Sequence, residues 1–119
     1  MANPNIVNVS NIYGKTAVLA VTTSPVAIVT NSAASNKIFK INALYVSNVD
    51  GANSADITVD LYRSATAYKI SSAITVPAGT TLTLITKDLQ IYLEEGDSLR
   101  CTASANGDLQ AVCSYEELS

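Results

Sequence analysis

Apolar and polar side chains alternate one by one through much of this chain, and turn residues interrupt the alternation at short intervals. In "ITVDLYR", Ile57, Val59 and Leu61 fall on one side and Thr58, Asp60 and Tyr62 on the other. Leu89, Ile91 and Leu93 share a face, as do Leu99, Cys101 and Ala103, and Leu109, Ala111, Cys113 and Tyr115. A period of two belongs to strands. No stretch keeps apolar residues at helical spacing for three turns, and the chain is rich in Val, Ile and Thr, which fit a pleated surface better than a helix.

Turn signals separate the runs: Ser24-Pro25, Asn36, Asp50-Gly51, Pro77-Ala78-Gly79, Glu95-Gly96-Asp97 and Asn106-Gly107. Their spacing of about 8–12 residues is that of a sandwich or barrel. Nine strands are predicted, over 5–9, 15–22, 26–30, 38–47, 57–63, 68–75, 80–86, 98–104 and 109–115, with 89–93 as a tenth. The predicted fold is all-β: a single antiparallel β-sandwich of jelly-roll kind, with an immunoglobulin-like sandwich as the alternative. At 119 residues the chain is expected to form one domain, with residues 1–11 as an N-terminal arm or edge strand.

The last two strands invite a register. If they form a hairpin with one apolar face, the loop holds an odd number of residues, and Ala105-Asn106-Gly107 with a left-handed Gly107 meets that condition. Cys101 would then face Ala111 and Cys113 would face Leu99. Two diagonal, buried, free thiols are expected, with a disulfide as the alternative.

Only 14% of residues are charged, and the net charge is −3. Seven Lys and Arg scattered along the chain make no basic footprint, so nucleic acid is not an expected partner. The longest apolar run, "AVLAV", is far short of a membrane span. "MANPNIVNVS" has neither a basic n-region nor an apolar h-region, from which synthesis and folding in a cytoplasm are expected.

The sequence contains no His, which removes the commonest general base and metal ligand together. "YGKT" at Tyr13–Thr16 resembles the end of a phosphate loop, but Val9 stands where its first glycine would be. Glu94, Glu95 and Asp97 offer paired carboxylates, although acids in a glycine turn more often form a solvated tip. Asp50, Asn53 and Asp56 could present oxygens to Ca²⁺, yet "DGANSAD" lacks EF-hand spacing and suits turn geometry. No enzyme and no cofactor are expected. Tyr62, on the polar face beside Asp60 and Arg63, is the best exposed aromatic candidate for an interface.

Several phrases in order carry a resemblance. "KINALYVSNVDG", "ADITVDLY", "VPAGTTLTLI", "IYLEEGDSLR" and a terminal "SYEE" resemble small virion proteins of tailed bacteriophages, notably those of marine cyanobacteria, over residues 37–117. The resemblance implies a non-enzymatic structural component of the virion. Its first form is a head decoration or cement protein that stabilises contacts between shell subunits; its second is a tail or fibre component that binds a receptor or carbohydrate. It also implies the major capsid protein or other virion proteins as partners, and a homo-oligomer, a trimer foremost. The candidate interface residues are Ile6, Val7 and Val9 of the first segment, which could add as a strand to another chain, together with Tyr62 and Arg63.

Overall fold

The structure, a computed structural model, describes residues 3–119. Among the described residues nine strands are present: β1 (Ile12–Ala20), β2 (Val26–Thr30), β3 (Ile38–Asn48), β4 (Ala55–Arg63), β5 (Thr66–Val76), β6 (Thr81–Ile85), β7 (Ile91–Leu93), β8 (Ser98–Ala103) and β9 (Leu109–Leu118), with a 3₁₀ turn at Lys87–Leu89. One sheet runs β1-β9-β3-β6, with β7 also on β3, and the other runs β2-β8-β4-β5. All pairings are antiparallel. The chain changes sheet at nearly every connection, and β4–β5 is the hairpin whose two strands pair with each other. Two four-strand paths wound in this order form a jelly roll, the first of the two predicted sandwiches.

The period-two pattern becomes the core directly. Ile41, Leu44 and Val46 of β3 and Leu109, Ala111 and Cys113 of β9 meet Ile57 and Val59 of β4 and Leu99 and Cys101 of β8. These side chains are almost wholly removed from water, and each large one contributes about 1.5–3 kcal/mol by that burial. Leu44 pairs with Cys113 on one side and Ile85 on the other, so Leu44→Ala would open a void at the centre of a sheet.

Three expectations are corrected. Residues 5–9 form no strand. After Pro4, the Asn5 side chain accepts the Val7 N–H at 3.0 Å and the Asn5 carbonyl accepts the Asn8 N–H at 2.9 Å, so the segment curls into an Asx turn. The segment 89–93 is a strand only over Ile91–Leu93, because the 3₁₀ turn takes its start.

The last hairpin is the third correction. β8 pairs with β2 and β4, whereas β9 pairs with β1 and β3, so the two strands lie in different sheets. Cys101 is therefore opposite Val59 and Val26, and Cys113 opposite Ala17 and Leu44. Inward faces alternate identically whether a chain turns back beside itself or crosses to the facing sheet, so parity alone does not separate the two. Gly107 is left-handed as expected (φ 84°) and helps turn the crossover. Both cysteines are buried and free, and burial pushes each thiol up to about 12.

Candidate assembly surface

One end of the sandwich is closed by polar side chains that the sequence suggested as a solvated tip. Gly96, at φ 88°, lets the Glu94–Asp97 turn close, with the Asp97 N–H on the Glu94 carbonyl at 3.0 Å. Asp97 is buried and receives Arg63 through Nε at 2.8 Å and Nη2 at 2.5 Å. Such a two-point pair, chiefly through its hydrogen bonds to Asp97, raises the Arg63 pKa. Glu95 is also buried, and its Oε2 accepts the Asn36 N–H at 2.7 Å, holding Asn36 in a left-handed conformation. Asn31, fully enclosed, donates from Nδ2 to the Lys37 and Leu93 carbonyls. The solvated-tip expectation is thus corrected for Glu95 and Asp97: buried backbone needed partners, and these side chains supply them.

The long turn after β3 is organised in the same way. Asp50 Oδ1 accepts the Ala52 and Asn53 N–H groups at 2.8 and 3.3 Å, and Asn53 donates to Oδ2 at 3.2 Å. These bonds, the Ala52 N–H first, hold the Asp50 carboxyl below its ordinary range. Asp56 points elsewhere, accepting the Thr75 hydroxyl at 2.8 Å. The turn's oxygens serve its own geometry. Among the described residues, no group of three or more His, Cys, Asp or Glu is placed to hold a metal.

The expected interface residues divide. Ile6 and Val7 are exposed, Val7 at 85%, while Val9 is half-buried. Met1 and Ala2 of the expected arm lie outside the described residues. Tyr62 is half-buried rather than exposed, because the Arg100 guanidinium lies over its ring at 3.9 Å while donating to the buried Asp60 at 2.9 Å. Arg63 is engaged by Asp97 and by Glu94 (2.8 Å). The structure does bring the first segment and Arg63 to one end: Asn3 Nδ2 donates to the other oxygen of Glu94 at 2.7 Å. Tyr62, paired with Ser98 beside Asp97, lies next to them but is stacked on Arg100.

A larger surface was missed. On the outward face of the first sheet, Val18, Val112, Tyr45 and Thr83 form one cross-strand row. Val18 is 75% exposed, and Tyr45 and Val112 are exposed as well. The neighbouring rows are Ala20, Gln110, Ser47 and Thr81 on one side, and Thr16, Ser114 and Ala43 on the other. These rows contain no charge. The nearest ion pair on that face is Lys40–Glu116 (3.9 Å), toward the closed end. A shallow depression lies where Val18–Ala20 meets Gln110–Val112. The signal was present in "TAVLAV", where apolar residues occupy both faces of one strand. Read alone, such a run signifies a strand covered on both sides; here β1 lies at a sheet edge with Val18 turned to water.

No family model matches the chain, and neither does any curated protein. Among solved structures, it is similar over 100% of its length to a chain of Bacillus endospore appendages, described as a novel family of disulfide-linked pili. The match covers 96% of that chain, with a TM-score of 0.54 and 13% identity. At that identity the likeness is one of fold.

Proposed function

We propose that this chain is a non-enzymatic structural subunit of a tailed-phage virion, acting as a head decoration protein that bridges neighbouring shell subunits. The observation that carries the reading is the uncharged outward face of the first sheet, with Val18, Tyr45 and Val112 in register across it. Interface centres are depleted of charge and enriched in Tyr, and they draw their energy from a few well-packed side chains. The residues that could have suggested chemistry, Glu95, Asp97 and Asp50, are occupied in closing turns. The virion setting comes from the resemblance over residues 37–117, which also supplies the major capsid protein as partner. Repetition over a shell lattice would multiply a modest contact through avidity.

A second reading is favoured by one observation. One solved structure of similar fold belongs to pili, which supports a fibre or tail component in which copies stack on one another. Those pili are described as disulfide-linked; Cys101 and Cys113 here are both buried and free. A fibre of this chain would therefore be held by non-covalent contacts.

Gold-labelled antibody on purified particles of the encoding phage separates the two. Label over heads is expected. Label confined to tails or fibres would replace decoration with the second reading. Unlabelled particles, with the epitope verified on denatured protein, would overturn both.

A further inference from the structure

Among the described residues five strands border the two sheets, and exposed edges invite pairing with other chains unless something blunts them. β7, which pairs with β3 alone, is blunted by its length of three residues. β2 has five residues, follows Pro25 and is bulged between Ala27 and Val29. β5 is bulged against β4, with Ala73 at φ 49°. β6 is short, and its pairing shifts at Leu44/Tyr45. β1 has no such device. It pairs with β9 without interruption from Ile12↔Leu118 to Ala20↔Gln110. Its one charge, Lys15, is bound to Glu117 at 2.9 Å.

The free edge can be read residue by residue. Asn11 and Ser119 exchange both backbone bonds, at 2.9 and 3.0 Å, and the Val21 N–H reaches the Leu109 carbonyl at 3.0 Å. Antiparallel pairs alternate between bonded and non-bonded. Odd residues of β1 therefore bond to β9, and Ile12, Gly14, Thr16, Val18 and Ala20 direct their N–H and C=O groups away from it.

We propose that β1 pairs antiparallel with β1 of a second copy, about a two-fold axis at Thr16, joining the two first sheets into one. In this register Thr16 faces Thr16 of the other copy, Gly14 faces Val18, and Ile12 faces Ala20. All the edge-facing residues are used. A shift of two residues either way leaves one per copy unpaired, and one of those shifts also sets Lys15 against Lys15, where like charges repel. Side-chain sizes agree with the register. Val18 and Ile12, 75% and 61% exposed, each meet a small partner, and a Cβ built on Gly14 would have nothing within 4 Å. One strand complementary to itself is what an isologous interface requires. A two-fold pair takes the place of the trimer implied by the resemblance, and it rests on β1 alone, whatever particle the chain belongs to.

Sedimentation equilibrium of the full chain, from micromolar to hundreds of micromolar, is the test. A reversible dimer of twice the 12.5 kDa chain mass is expected. Thr16→Lys places like charges in direct opposition, and Thr16→Pro removes an N–H that β9 does not use. Each should weaken the dimer about tenfold or more with little change in thermal stability. Should either variant fail to fold, oxidative crosslinking decides. Thr16→Cys, self-opposed at a spacing compatible with a disulfide, should yield a covalent dimer. Val18→Cys, which faces Gly14, should not. A chain that stays monomeric, a trimer, a dimer unaffected by folded Thr16 variants, or equal crosslinking at both positions would overturn the proposal.

Discussion

Glu117 sits near the end of β9 with 9% of its side chain exposed, and both Lys37 and Lys15 donate to it, at 2.6 and 2.9 Å. These two bonds, Lys37 first, hold its carboxyl below the usual value near 4.5. A folded pKa below the unfolded one means stability that is present above about 4.5 and lost as pH falls through the depressed value. Hydrogen bonds to charged groups contribute about 1.5–3 kcal/mol, less when the lysines remain partly in water. Glu117→Gln should therefore cost about 1–2 kcal/mol at pH 7 and progressively less toward pH 3, measured by urea unfolding at both. An equal cost at both would assign the effect to packing. The thiols give a second test: with Cys101 and Cys113 buried and pushed up to about 12, a thiol reagent should label neither until denaturant is added, and reductant should leave the melting temperature unchanged. Burial of these cysteines was legible, because both fall on the apolar phase of their strands. Burial of Glu95 and Asp97 was not, since nothing in "EEGD" tells a solvated acid from one facing an orphaned N–H.

At the scale of elements, seven of the nine predicted strands lie close to where the alternation puts them, and β1 begins three residues earlier than predicted. Strand partners were not legible where the chain crosses between sheets, as with β8 and β9. The in-sheet hairpin was equally hard to see, because Ser64-Ala65 carries no Asn-Gly signature. Both residues have positive φ (53° and 60°) between the paired Arg63 and Thr66, the pattern of a type I′ turn. Such a conformation costs residues with a Cβ about 1 kcal/mol or more. Ser64→Asn with Ala65→Gly should raise unfolding free energy by about 1 kcal/mol, read as a higher midpoint in urea with the slope unchanged. A loss of stability would mean that contacts of these side chains outweigh their backbone strain.

For the whole molecule, two sheets and one 3₁₀ turn should give a far-UV circular dichroism spectrum with almost no helical signal. A helical spectrum would contradict the fold. Jelly-roll order follows from the strand list only after each crossing is known, yet the sandwich itself was legible in the turn spacing. The assembly surface was not, because a face becomes visible only once register aligns Val18, Val112 and Tyr45 from three distant segments. Its role is the central claim, and hydroxyl-radical footprinting tests it most directly, on the free chain and on the chain within purified particles. Tyr45 and Val112 are expected to lose labelling on assembly, while Tyr68, exposed on β5 of the other sheet, keeps it. Protection of Tyr68 with Tyr45 and Val112 unchanged would place the contact on the opposite side of the sandwich and contradict the proposed function.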